Sequence, residues 1–95
     1  MHASVRVYRV TDAAEVARRA EEDFLSEVRG VSGFSAYYMI DGGGGSLSTV
    51  TLTDDASGAE ESASRAASWI ASNPDVAALI EESPTVINGE VLAQA

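Results

Sequence analysis

The sequence contains no cysteine and no lysine, and it has only one histidine and two prolines. The absence of cysteine excludes disulfide bonds, thiol catalysis and any cysteine-ligated zinc or iron–sulfur site. No apolar or aromatic run is longer than that over 36–40, which is far too short to cross a bilayer. The first ten residues also lack the basic-then-apolar pattern of a secretory signal. The sequence therefore predicts a cytoplasmic protein without a membrane segment.

Positive charge is also scarce. Fifteen acidic residues oppose six basic ones, all of them arginine, and the formal net charge is −9. A field of this sign repels polyanions, so we expect no nucleic-acid partner and no anionic membrane surface. A lysine-free, alanine-rich chain is typical of a GC-rich genome, while the excess of acids is typical of a salt-loving source. The sequence leaves both interpretations open.

The hydrophobic fraction of 45% in 95 residues is that of one globular domain covering residues 1–95. Alternating and three-to-four-residue spacings predict strands over 4–10, 34–40, 47–53 and 85–92, helices over 13–30 and 56–72, and a short helix that begins at Pro74. This order is the ferredoxin-like βαββαβ pattern, an α+β fold with an antiparallel four-stranded sheet. His2, the one histidine, is predicted to lie at a frayed end.

Both faces of the predicted sheet carry apolar side chains. In the second strand, alternation places Phe34, Ala36, Tyr38 and Ile40 on one face and Tyr37 and Met39 on the other. Two long helices cover only one face of a four-stranded sheet, so the other face needs a partner. A second copy of the chain is the simplest partner, and we expect a homodimer.

The chain resembles the dimeric α/β-barrel superfamily, and within it the small proteins similar to antibiotic-biosynthesis monooxygenases. The resemblance is carried by the aromatic strand that follows Gly33, the glycine-rich hairpin, the acidic pair Asp54-Asp55 and the alanine-rich helix that contains Trp69. It implies two ferredoxin-like subunits that press their sheets together into a homodimeric α/β barrel. It also implies a pocket in each subunit between the sheet and the helices.

The resemblance also suggests which residues surround a ligand. Haem-degrading members use an asparagine, a tryptophan and an axial histidine on the pocket-lining helix, but no histidine lies on a predicted helix here, so we expect no haem and no other cofactor. Members that oxidise quinols or polyketides place asparagine, tryptophan, tyrosine and arginine around an aromatic substrate. The matching candidates for ligand binding in this chain are Trp69, Tyr8, Tyr38, Tyr37 and Asn73.

Two other motifs do not indicate a phosphate-binding or metal-binding site. The glycine run over 42–45 lacks the lysine and the following helix of a phosphate loop, and neighbouring acids on a helix diverge too far to share a metal ion. Trp69 and the tyrosines also suit core or interface packing. Arg6 and Arg9 either anchor a ligand anion or pair with an acid such as Glu90.

Two functions stay open, and no catalytic residue is identified. The first is a small-molecule-binding dimer without an assigned activity, whose pocket lies between the second helix and the sheet with Trp69 in its wall. The alternative is a cofactor-independent monooxygenase that acts on a quinol-like or polycyclic aromatic substrate. In that case the substrate itself activates oxygen, and the protein orients it.

Overall fold

The computed structural model describes all 95 residues, which form a four-stranded antiparallel sheet with helices on one side. The strands are β1 (His2–Arg9), β2 (Phe34–Gly43), β3 (Ser46–Thr53) and β4 (Thr85–Glu90). The helices are α1 (Ala13–Arg19), α2 (Leu25–Arg29), α3 (Ala56–Ser72) and α4 (Pro74–Ala77), and a π-helical turn (Ala20–Phe24) joins α1 to α2. The strand order is β2-β3-β1-β4. The predicted α+β, ferredoxin-like fold is confirmed.

The first helical segment departs from the regular helix that the sequence predicts. Asp12 caps α1 by accepting a hydrogen bond from the backbone of Glu15. The buried positions Val16, Ala20, Phe24 and Val28 then recur every four residues. At 3.6 residues per turn, such a spacing drifts around the helix by about 40° per step. The π-turn contains one additional residue, which takes up this drift and keeps the stripe facing the sheet.

A second departure is a β-bulge at the start of β2. The register with β3 shifts between Phe34 and Ala36, so that Phe34 pairs with the fully buried Thr53. Phe34 packs against the core beneath α2, on the face opposite to Tyr38. The prediction that Phe34 shares a face with Ala36 and Tyr38 is therefore wrong, because a bulge inverts the alternation.

The two terminal strands also differ from the predicted bounds. His2 is the first residue of β1 and pairs with Thr53 and Glu90, so the predicted fraying there is wrong. The last strand ends at Glu90, and Leu92 lies beyond it with 93% of its surface exposed. One hydrogen bond, from the Val91 amide to the Met1 carbonyl, continues the pairing past β4.

Capping residues fix the ends of α3. The Asp55 carboxylate accepts hydrogen bonds from the backbone of Ser57 and Gly58 at the first turn. At the other end, the Asn73 side chain donates to the Trp69 carbonyl at 2.7 Å. Pro74 then begins α4, as the sequence predicts. None of the helices is both long and apolar enough to cross a membrane.

The two faces of the sheet have different chemistry. The inner face lies under the helices and is partly polar; it carries Ser4, Arg6, Tyr8, Tyr37, Met39, Leu47, Thr49, Thr51 and Thr53. The outer face has no helix over it and is mostly apolar; it carries Val5, Val7, Ala36, Tyr38, Ile40, Val50, Leu52 and Ile87. Tyr38, Ile40 and Ile87 expose 56%, 49% and 66% of their surface. The sheet therefore leaves an apolar surface uncovered.

Candidate functional site

A small, partly open cavity of about 20 Å³ lies between α3 and the inner face of the sheet. Twelve residues line it, eleven of them hydrophobic, and they include Tyr8, Tyr37, Thr49, Phe24, Ala66 and Trp69. A space of this size holds about one water molecule. A larger ligand therefore requires the surrounding side chains to move.

Aromatic rings form one side of the cavity. The ring of Phe24, from the π-turn, lies 5.2 Å from that of Trp69 and 5.7 Å from that of Tyr37, the latter in an edge-to-face arrangement. Trp69 reaches this position from α3, one turn after the small Ala66. Its indole Nε1 is buried and has no hydrogen-bond partner in the protein.

Three lining residues carry hydroxyl groups, namely Tyr8, Tyr37 and Thr49. Burial raises the pKa of Tyr37 well above its ordinary value, and the neighbouring Tyr8 raises it further, while Thr49 and Arg6 oppose the shift. Like an ordinary tyrosine, Tyr37 is protonated at neutral pH, and its hydroxyl is able to donate a hydrogen bond. Tyr8 is buried beside it on β1. The arrangement offers an apolar space with a few polar tips, which is the usual character of a small-molecule site.

Two shallow grooves adjoin the cavity. The β2-edge groove, of about 180 Å³, is lined by Ala17, Ala20, Glu21, Leu25, Tyr37 and Met39. The α2–α3 groove, of about 160 Å³, is lined by Glu27, Arg65, Ser68, Trp69 and Ser72. Tyr37 and Met39 line both the cavity and the first groove, and Trp69 lines both the cavity and the second. These three side chains therefore lie between the cavity and the two grooves.

The structure brings together three of the five predicted ligand-binding residues, namely Tyr8, Tyr37 and Trp69. Tyr38 lies on the outer face, on the other side of the sheet. Asn73 does not line the cavity, because its amide bonds to the Trp69 carbonyl and its Oδ1 accepts a hydrogen bond from Arg19 at 3.0 Å. Its role in the structure is to hold the end of α3.

Sequence reasoning missed Phe24, Met39 and Thr49 as lining residues. The burial of Phe24 was evident from the helical spacing, but its place in the cavity depends on the π-turn. The suggested pairing of Arg6 or Arg9 with Glu90 is absent. All six ion pairs belong to Arg18, Arg19 and Arg65. Arg18 pairs with Glu15 and Glu22, Arg19 with Asp23 and Asp75, and Arg65 with Glu27 and Glu61.

Known structures share this fold at low sequence identity. No protein-family model matches the sequence, and no curated protein matches it significantly. A putative antibiotic biosynthesis monooxygenase from Nitrosomonas europaea is 13% identical with a TM-score of 0.74, over 98% of this chain and 100% of that one. A monooxygenase from Streptomyces coelicolor, solved in complex with the ligand nanaomycin D, is 12% identical with a TM-score of 0.71, over 98% and 92%. A dimeric ferredoxin-like protein from an uncultured marine organism is 12% identical with a TM-score of 0.72, over 99% and 90%.

At such low sequence identities, the structural similarity establishes the fold alone. The chain has the fold of the antibiotic biosynthesis monooxygenase-like and dimeric ferredoxin-like proteins. The sequence resemblance to the dimeric α/β-barrel superfamily is thus confirmed at the level of the fold. A shared fold leaves the reaction open, because function depends on the side chains of the site.

Proposed function

We propose that the protein is a homodimer in which each subunit binds a small aromatic or apolar ligand between α3 and the sheet. The observation that carries this proposal is the cavity bounded by Tyr8, Tyr37 and Trp69. Its walls are almost entirely hydrophobic, while the Tyr37 hydroxyl and the Trp69 indole N–H offer donors that would orient a ligand. Stacking against the aromatic rings favours a planar molecule.

Binding enlarges the cavity by displacing its dividing side chains. Met39 is unbranched and adapts to new packing at little cost, and it separates the cavity from the β2-edge groove. Moving it joins the cavity of about 20 Å³ to the groove of about 180 Å³. The combined space is about two thirds of the lower end of the range for small-molecule pockets, about 300 Å³, so it favours a small ligand.

A second copy of the chain is the proposed partner for the outer face. Exposed Tyr38, Ile40 and Ile87 make this face apolar, and a face of this kind is unusual for a monomer. One of the proteins with the same fold is described as dimeric. An isologous pairing of two outer faces buries these side chains on both subunits at once.

The site is tested by the fluorescence of Trp69, the only tryptophan in the chain. A panel of hydroquinones and anthrones is titrated into the purified protein, and we expect at least one to change the emission in a saturable manner. Ala66→Leu fills the cavity and is expected to abolish that response. Ala67→Leu adds the same bulk at an exposed position of α3 and should leave it unchanged. A response that survives in Ala66→Leu places the ligand elsewhere and contradicts the proposal.

A cofactor-independent monooxygenase is the second candidate function. It is favoured by the aromatic lining of the cavity, which includes Tyr37 and Trp69, and by the ligand-bound monooxygenase that shares the fold. In this reaction an ionised anthrone-like substrate donates electrons to dioxygen. The substrate methylene then becomes a carbonyl that keeps one oxygen atom, and the second oxygen leaves as water with both methylene hydrogens.

Oxygen uptake separates the two candidates. An enzyme consumes one dioxygen for each anthrone converted to anthraquinone, and Ala66→Leu removes this activity while Ala67→Leu keeps it. A ligand that binds without any oxygen uptake above the uncatalysed rate favours a binding protein instead.

A further inference from the structure

We propose that Arg6 makes this site selective for anions, so that its ligand is an aromatic compound with a negatively charged oxygen attached to or next to the ring. A carboxylate, a phenolate and an ionised enol share this chemistry. The inference rests on the proposed function, because it concerns the same cavity. It names the class of ligand that the cavity takes.

The first observation concerns hydrogen-bond donors. Only two buried side-chain nitrogen or oxygen atoms in the whole chain lack a hydrogen-bond partner in the protein, and these are Arg6 Nε and Trp69 Nε1. Both atoms carry N–H groups and therefore only donate. Folded proteins rarely leave such groups unpaired, since burial without a partner is costly. A ligand that accepts hydrogen bonds would give these donors the partner that the protein does not supply.

The second observation is the position of Arg6. It lies on the inner face of β1, two residues before Tyr8, and pairs across the sheet with Thr49. Tyr8 and Thr49 both line the cavity, and the charge of Arg6 is close enough to oppose the rise in the Tyr37 pKa. Arg6 therefore lies beside Tyr8 and Thr49, which line the cavity on the sheet side, although it does not line the cavity itself.

The third observation is that Arg6 has no acidic partner in a protein with fifteen acidic residues. Its cross-strand neighbours, Thr49 and Val86, carry no charge, and it takes part in no ion pair. A partly buried charge is screened less by salt than an exposed one. The planar guanidinium is also suited to bind a carboxylate through two parallel hydrogen bonds. An anionic ligand would supply the missing partner.

The experiment compares 2-naphthoate with 2-naphthamide, which have the same rings but differ in charge. Binding is followed through Trp69 fluorescence. We expect the wild-type protein to bind naphthoate about tenfold more tightly, since a charge-assisted hydrogen bond is stronger than a neutral one. Arg6→Gln should reduce this preference to within about twofold, with the loss confined to naphthoate. Arg29→Gln removes an equal charge from an exposed arginine on α2 and should keep the preference.

Arg6→Lys is the control for a folding defect in Arg6→Gln, because lysine keeps the positive charge and an aliphatic stem. It should retain a clear part of the preference for naphthoate. If both compounds bind equally well to the wild-type protein, or if Arg6→Gln keeps the preference, the inference is overturned while the aromatic site stands. If neither compound changes Trp69 fluorescence and no compound of the hydroquinone and anthrone panel does so, the proposed function fails and the inference fails with it.

Discussion

Gly58 allows α3 to start close to the sheet. A Cβ atom at this position would lie 2.6 Å from the Ser32 carbonyl oxygen and 2.9 Å from Cβ of Thr53. Both neighbours are held by the backbone, so they move only if the helix moves. The spacing between helix and sheet therefore depends on the absence of one side chain.

We expect Gly58→Ala to destabilise the protein by about 1–3 kcal/mol, as overpacking of a well-packed core does. This cost outweighs the gain of about 1 kcal/mol in helix propensity. Gly89→Ala is the control, because nothing lies within 4 Å of the added atom. Urea unfolding measures both free energies. A Gly58→Ala variant at least as stable as the wild type would show that α3 is able to move away from the sheet at little cost in free energy.

Residue types alone predicted part of the site. Trp69 lies next to the apolar stripe of its helix, so its place between helix and sheet follows from periodicity. The place of Asn73 outside the cavity does not follow from periodicity. Its side chain accepts a hydrogen bond from Arg19, which is 54 residues away in the sequence. Strand alternation already separates Tyr37 from Tyr38, so only one of them could line the cavity.

Irregular elements account for most of what the sequence did not predict. The four-residue spacing from Val16 to Val28 is close enough to 3.6 that a regular helix was expected, and the drift is corrected in three dimensions by packing on the sheet. The bulge before Ala36 is likewise decided by pairing with β3. Element order, the α3 bounds and the start of α4 followed from capping residues and periodicity, which are local signals.

The π-turn should be removable by deleting one residue. Without Glu21, the buried positions follow a spacing of four, three and four, which fits a regular helix. The Leu25 amide, which now bonds to the Ala20 carbonyl five residues back, would return to a four-residue bond. We expect cooperative unfolding, with a melting temperature within about 5 °C of the wild type.

A deletion in α3 provides the control. Removing the exposed Ser64 rotates Trp69 and Ile70 away from the sheet by about 100° relative to Ala59, and we expect a severe loss of stability. Circular dichroism melts measure both variants. The interpretation of the π-turn fails if the two deletions are equally tolerated or equally damaging.

The α3 cap makes stability depend on pH. Hydrogen bonds from the Ser57 hydroxyl and the Gly58 amide lower the pKa of Asp55 below its ordinary value, as the Ser57 amide also does. A carboxyl whose pKa is lowered on folding stabilises the protein above its unfolded pKa, near 3.8, and this contribution is lost as the pH falls through the folded pKa.

We therefore expect Asp55→Ala to lower the melting temperature by a few degrees at pH 7, with the difference from the wild type shrinking below about pH 4. Asp54→Ala, whose side chain makes no hydrogen bond at the cap, serves as the control. Thermal melts between pH 3 and pH 7 measure the effect. A difference that stays constant over this range would exclude the charged cap as its cause.

At the scale of the whole molecule, the outer face determines assembly. Under the proposed pairing, light scattering gives twice the chain mass of 9.9 kDa, and the interface buries more than about 1,200 Å². Ile87→Glu places a charge on the exposed apolar face and should produce a monomer. Ser64→Glu, on the exposed side of α3, should leave the dimer intact. A wild-type particle of 9.9 kDa in both low and high salt would contradict the pairing.

Net charge acts on the molecule as a whole. With a formal charge of −9, repulsion among the acids opposes folding and weakens as salt screens it. Salt also weakens the exposed ion pairs, but each of these contributes little. We expect the melting temperature to rise between dilute buffer and molar potassium chloride. An unchanged melting temperature would remove the support for a salt-loving source.

The sheet carries apolar side chains on both faces, but the helices cover only one of them. Three threonines and Leu47 occupy the helix-covered side of β3, while Val50 and Leu52 lie on its uncovered side. Under the proposed pairing, part of the hydrophobic burial comes from a second molecule, so folding becomes linked to a bimolecular reaction. Each tenfold dilution then lowers the free energy of the pair by about 1.4 kcal/mol. The folded fraction would depend on how much of the protein is present, and its melting temperature would have a value only at a stated concentration.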